Sequence, residues 1–366
     1  MSKKTVIYIV IFLFVTFSGC INDIDSKSGT LQPRPRNVIL FIGDGMGVPH
    51  LYAGMTKNGQ PFNLEKFPYS GLCKTYSADN YITDSGAGGT AIASGQKTNN
   101  GIIGVKPDGT QVSSITEVAH KNGMATGVVS TSTITHATPA SFVAHNAGRD
   151  NYEEIASDFL KGTIDIFIGG GEDHFRNRKD GLDLTVNLKE QGFDVVYNME
   201  DLKKSQSSRL AGLLAKEHMQ KASEGRQGML SEMTKKAIET LGKNKNGFVL
   251  VVEASMIDWG SHENNLDYIV EEVIDMDQAI GTALEFAKQD GKTLVVVTAD
   301  HETGGLVLTG GDINNRQVEA KFAGKDHSAV MVPVFSFGPW AERFSGIHDN
   351  TFFFNEFVRA LRLKTE

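Results

Sequence analysis

The sequence predicts an α/β fold with a doubly wound, mostly parallel central sheet and helices on both faces. Three observations predict it. Short β-rich runs recur at residues 37–42, 126–130, 164–168, 248–252, 294–298 and 332–337, most of them continuously apolar. Runs of that length without polar alternation suit strands covered on both faces. Helical patterns lie between the runs, and alternation of the two is the mark of α/β architecture. Finally, acidic and histidine residues stand just after several runs, and ligands of such sheets lie outside the carboxyl ends of the strands.

The chain begins differently from the rest. Lys3 and Lys4 precede a nearly unbroken apolar run over residues 6–17, followed by Ser18, Gly19 and Cys20. A basic start, a short apolar stretch and a small-residue exit read as an export signal over residues 1–19. The run is shorter than the ~20 residues a membrane-crossing helix needs. Phe17-Ser18-Gly19-Cys20 resembles a bacterial lipoprotein processing site, with Phe17 where Leu is usual, which implies lipidation at Cys20 and attachment to a membrane. The expected location is the periplasm or cell surface. Residues 20–36 lack periodicity and read as a tether. Only Cys73 would then remain, so no disulfide within the chain is expected; it reads as a small buried apolar side chain.

Residues 37–366 read as one domain. Its clearest helix covers residues 266–288, with Ile269, Val270, Val273, Ile274, Ile280 and Leu284 at helical spacing and Gly291 beyond the end. The polar stretch near residues 200–230 reads as a peripheral helical insertion. The net charge is -8, and about -10 without Lys3 and Lys4, with no long basic block. That argues against nucleic-acid binding, which rests on phosphate neutralisation. Small phosphates remain open as ligands if cations supply positive charge locally.

The residues able to carry chemistry fall into clusters. Asp44 lies in Gly43-Asp44-Gly45-Met46-Gly47 after the first run, and reads either as a turn cap or as a ligand. Ser85 lies in a small-residue stretch, Thr83-Asp84-Ser85-Gly86-Ala87-Gly88-Gly89, that suits a closely packed helix start. There Ser85 is either an ordinary cap or a nucleophile whose alkoxide the helix dipole favours. Thr138 can offer oxygen to a hard cation, and Arg149 can clamp two phosphate oxygens. Asp258 and His262 are four apart, on one face of any helical turn. Together with Glu253, Asp300, His301 and His327 they make a multinuclear cation site, the Asp/His pairs suiting zinc and the oxygen-only Glu suiting magnesium.

These motifs resemble the bacterial alkaline phosphatases. They comprise Asp44-Gly45, Thr83-Asp84-Ser85, His136-Ala137-Thr138-Pro139, the stretch from Glu253 to Asp258, the stretch from Thr298 to Gly304, and His327-Ser328. They run in order from residue 37 to about 337. The resemblance implies hydrolysis of phosphate monoesters through a phosphoserine on Ser85, with two zinc ions and one magnesium ion. One zinc would take Asp258, His262 and His327, and the other Asp44, Asp300, His301 and Ser85. Magnesium would share Asp44 and use Thr138 and Glu253, while Arg149 would hold the phosphate. Homodimers are common in the family. Two departures stand out: His136 where the best-known bacterial enzyme has Asp, and Trp259 where it has Lys. His136 is expected in the second shell of the third site, and Trp259 beside the phosphate.

Two other readings compete. A sulfatase or phosphodiesterase could share the fold, but Asp84-Ser85-Gly86 lacks the Ser-x-Pro-x-Arg context of arylsulfatases. Diesterases usually carry Thr at the nucleophile and lack an Arg149-type clamp. A binding protein without catalysis could keep the ligands but has no need of Ser85 beside them.

Overall fold

The computed structural model describes residues 33–365. The export signal, Cys20 and most of the tether lie outside the described residues. In chain order the strands are β1 (Asn37–Gly43), β2 (Tyr69–Lys74), β3 (Ala125–Thr133), β4 (Ile166–Gly170), β5 (Asp194–Val196), β6 (Leu210–Leu213) and β7 (Phe248–Ala254). There follow β8 (Thr293–Thr298), β9 (Glu302–Thr303), β10 (Leu306–Asp312), β11 (Gln317–Phe322), β12 (His327–Ser328), β13 (Val332–Phe337) and β14 (Gly346–Asp349).

Ten of these form one sheet in the order β14-β2-β13-β8-β1-β7-β3-β4-β6-β5. All pair in parallel except β13, which runs antiparallel to both β2 and β8. The six predicted strands are β1, β3, β4, β7, β8 and β13. The central four, β8, β1, β7 and β3, are buried along their whole length. Their Val- and Ile-rich sequences suit that position, because branched side chains pack well on a pleated surface covered from both sides. β10 and β11 make a separate hairpin, and β9 pairs with β12.

The predicted long helix is Leu266–Asp290. It is capped at its start by Asn265, whose side chain accepts from the Tyr268 amide, and ended by Gly291 at φ 64°. It packs against the helices Met229–Leu241 and Val48–Asn58.

The region near 200–230 departs from expectation. It holds a short helix, Met199–Lys204, but also β6, which is fully buried and pairs with β4 and β5 inside the main sheet. Arg226 is 1% exposed. The stretch is thus part sheet rather than a peripheral helical insertion. The strand is carried by the short apolar run Leu210-Ala211-Gly212-Leu213, buried within an otherwise polar, Lys- and Ser-rich stretch whose composition outweighs it.

Candidate active site

The carboxyl ends of the central strands deliver the reactive residues to one place. Asp44 follows β1, and Glu253 is the penultimate residue of β7, opposite Ile42. Asp300 and His301 follow β8. Asp258 and His262 stand one turn apart on the helix Met256–His262, and His327 is carried by β12. Thr138 sits in the short helix Ala137–Ala140 that follows β3.

Ser85 is the first residue of the helix Ser85–Ser94, whose cap, Asp84, accepts the Ala87 amide at 2.9 Å. The small residues of this helix are demanded by packing. A Cβ on Gly88 would come 3.1 Å from the Asp300 carbonyl oxygen, and one on Gly89 would come 2.9 Å from the Ser141 hydroxyl. The Ser85 hydroxyl lies 3.1 Å from His301 Nε2 and 3.5 Å from Asp44 Oδ1. It therefore has two hydrogen-bonding neighbours beyond its own helix, which an ordinary cap does not need. Arg149 reaches Asp84 Oδ2 at 2.8 Å, and the same oxygen accepts the Gly101 amide at 2.9 Å. Asp84, the cap of this helix, thus also holds the arginine.

Ligand-type atoms meet in three groups, each with its atoms within 4.8 Å of one another: Asp258, His262 and His327; Asp44, Asp258 and His301; and Asp44, His136 and Glu253. Asp300 Oδ2 adjoins the second group, 3.4 Å from His301 Nε2. His327 Nδ1–H donates to the Thr83 carbonyl at 2.9 Å, and His262 Nδ1–H donates to the Lys325 carbonyl. A carbonyl only accepts, so each ring keeps its Nε2 lone pair for the site, an arrangement typical of cation-binding histidines. The Thr303 hydroxyl donates to Asp258 and lies 3.2 Å from His301 Nδ1. Ser130, Ser132 and Ser255 donate to Glu253 Oε2.

The electrostatics of this cluster are unfavourable without cations. Burial, reinforced by Asp300 and Asp258, pushes Asp44 well above the usual carboxylate range. Burial likewise raises Asp300 to about 6 and Glu253 to about 7. Burial alone would raise Asp258 too, but the His262 hydrogen bond and the neighbouring His301 and His327 outweigh it and hold it well below. Burial lowers His136 to about 3 and, helped by the neighbouring His327, holds His301 well below its ordinary value, so both rings are neutral.

Among the described residues nine buried side-chain N or O atoms lack a hydrogen-bond partner. Five are here: Asp44 Oδ2, Asp300 Oδ2, Glu253 Oε1, His136 Nδ1 and Thr138 Oγ1. Each such atom costs about 1–3 kcal/mol if left alone. Three are carboxyl oxygens, one an imidazole nitrogen and one a hydroxyl oxygen, all atoms able to offer a lone pair, which fits bound cations. His136 offers its nitrogen to the same group as Asp44 and Glu253. The residue expected in the second shell of the third site thus brings a ring nitrogen within 4.8 Å of the Asp44 and Glu253 oxygens.

Trp259 is half-buried and packs edge-on to His136, with ring centroids 6.1 Å apart, and to His218 at 4.6 Å. His218 was not singled out by sequence. Nothing local marks it, since its neighbours Trp259 and Thr133 are 41 and 85 residues away. The Ser130–Thr133 run was a legible signal, because four hydroxyl residues closing an apolar strand are out of place in a core.

The alkaline phosphatase family profile matches residues 35–321. Alkaline phosphatase 4 of Bacillus subtilis is 41% identical over 320 residues, which cover 83% of this chain and 69% of that protein. Alkaline phosphatase 3 of the same organism is 39% identical, covering 80% of this chain and 66% of that one, just under two thirds. The crystal structure of alkaline phosphatase from the Antarctic bacterium TAB5 superposes with a TM-score of 0.87 at 40% identity, covering 92% of this chain and 100% of that one. Variants of the TAB5 enzyme with a histidine replaced by Glu or Asp have Mg bound in their M3 site. This chain belongs to the alkaline phosphatase family, metal-dependent hydrolases of phosphate monoesters.

Proposed function

We propose that Ser85 is the nucleophile and that its hydroxyl, held between His301 and Asp44, attacks phosphorus. The position of that hydroxyl among three groups of cation-ligand atoms is the observation that carries the reading. Asp258, His262 and His327 would hold one zinc ion, Asp44, Asp300 and His301 a second, and Asp44, Thr138 and Glu253 a magnesium ion, with His136 at its edge. Cations there would lower the pKa of coordinated hydroxyls and offset charge on the phosphoryl oxygens.

The chain's own residues do the rest. In the first displacement the Ser85 Oγ–P bond forms, the ester P–O bond breaks, and the leaving alkoxide takes a proton to depart as alcohol. In the second, water attacks the phosphoserine, the Oγ–P bond breaks, and orthophosphate leaves with Ser85 protonated again. Two in-line steps retain configuration at phosphorus. Arg149 binds equatorial phosphoryl oxygens, and Asp84 keeps its guanidinium from swinging into solvent. The amides at the start of the Ser85–Ser94 helix add positive potential at the nucleophile.

Export, lipidation at Cys20, attachment to a membrane and a homodimeric state complete the proposal; the resemblance of residues 17–20 to a lipoprotein processing site supports the first three. Ser85→Ala should lose phosphoenzyme labelling and at least a thousandfold in kcat while keeping its zinc. Labelling in that variant, or near-normal turnover, would remove Ser85 from the mechanism.

A further inference from the structure

Residues 214–228 form a strap between β6 and the helix Met229–Leu241, with a single 3-10 turn at Ala222–Glu224 as its regular structure. At one end the strap is clamped to the sheet. The Gly171 amide donates to the Ala215 and Glu217 carbonyls at 2.9 and 2.8 Å. A Cβ on Gly170 would lie 2.0 Å from the Glu217 carbonyl oxygen, so only glycine permits this approach. Next in sequence is His218. Its Nδ1 accepts the Thr133 amide at 3.1 Å, and its ring meets Trp259 at 4.6 Å and His136 at 5.8 Å.

At the other end the strap is held by ions. Arg226, Glu272 and Asp275 are 1%, 1% and 0% exposed. The guanidinium pairs with both carboxylates and donates through Nε to the Gln220 carbonyl at 2.7 Å. The same carboxylates accept the strap's own amides, Glu272 that of Ala222 at 2.8 Å and Asp275 that of Gly228 at 2.5 Å. Strap backbone and the helix Leu266–Asp290 are thereby joined by one planar fork of donors.

A buried ion triad is a weak source of stability, because desolvation cancels most of its attraction, but it is a directional constraint. Here it fixes the span that carries His218. We propose that Arg226 is a positioning residue for the third cation site: with Glu272 and Asp275 it pins the strap so that His218 and Trp259 hold the His136 ring toward Asp44 and Glu253. This rests on the cation assignment proposed above. His136 has no hydrogen bond to Nδ1, so ring packing is what orients it, and its contacts of that kind are Trp259, His218 and Tyr152.

The test uses the full chain in equilibrium dialysis against graded Mg2+ with zinc held constant, both metals being measured by atomic emission. Arg226→Lys keeps the charge but loses the fork. His218→Ala leaves the triad intact and removes the ring from the site. Both should retain the parent's zinc content and need about tenfold more Mg2+ for half-occupancy. A parental Mg2+ midpoint in either folded variant would overturn the inference, as would zinc lost in the same proportion as magnesium. If Arg226→Lys fails to fold, Glu272→Gln, which weakens the same clamp, is measured in its place with the same expected and overturning results. If the parent itself binds no Mg2+, the cation assignment falls and the inference with it, a result distinct from a parent that binds and variants that match it.

Discussion

Replacing Gly45 by alanine tests how tightly the fold couples its turns to the cation cluster. Gly45 has φ 72°, and an added Cβ would lie 2.8 Å from Asp258 Cα, Asp258 Oδ1 and Thr303 Oγ1. Alanine in the left-handed region costs roughly 1–2 kcal/mol. The Asp258 Cα is backbone and cannot rotate aside, so the turn and the Met256–His262 helix must part by about 1 Å to reach ordinary contact. Overpacking of that kind costs about 1–3 kcal/mol more. The sum, about 2–5 kcal/mol, leaves the protein folded but lowers its melting temperature by on the order of 5–10 °C. Asp44 and Asp258 would also move apart, and they share a ligand group. Zinc affinity should fall at least tenfold, for which ~1.4 kcal/mol of that strain suffices. Calorimetry and zinc retention against a graded chelator series read both effects. Gly59→Ala is the control: it has φ 66°, but its Cβ meets only the Arg316 side chain. The reasoning fails if Gly45→Ala keeps parental zinc affinity, or loses no more of it than Gly59→Ala.

In the chelated protein the site's carboxyls should cost stability as pH rises from about 4 to about 7, against the opposite slope of His136 and His301, whose lowered pKa values favour the folded state as pH rises. Glu253 and Asp300 have folded pKa values raised to about 7 and about 6 by burial. At these two groups the folded state therefore holds more protons than the unfolded one across that window, and the stability they give below pH 4 is lost as they ionise. The effect is on the order of a few kcal/mol. Metal-loaded protein should show little of it, and chelated Glu253→Gln should gain in melting temperature relative to the chelated parent as pH rises over the window; an unchanged difference between the two would contradict the assignment. Trp259→Lys should tighten inhibition by inorganic phosphate roughly tenfold, by adding a partly buried positive charge worth ~1.4 kcal/mol; an unchanged inhibition constant would place Trp259 outside phosphate binding. Cys20→Ser should move the protein from the membrane to the soluble fraction of cells, and continued sedimentation with membranes would contradict lipidation.

The legibility of this protein in its sequence follows burial and separation. The central strands read directly, because a strand covered on both faces must be apolar throughout, as in Leu294-Val295-Val296-Val297. β2, β5 and β14 did not, since each lies at or near a sheet edge and is only partly buried. β6 was hidden by its four-residue length. Asp44, Glu253, Asp300 and His301 were legible for one physical reason: ligands must stand where the strands end, and those ends are marked in the sequence.

What the sequence determined by itself was the alternation of strand and helix, the residue types of a cation site and their place after the strands. Tertiary structure alone decided which of them meet. It put Asp258 between two groups, turned His136 into the third, set Thr303 behind Asp258, and joined Arg226 to Glu272 and Asp275, 46 and 49 residues away. Periodicity reports the face a residue presents, but the partner on the other side of that face is chosen by packing between segments that no local pattern connects.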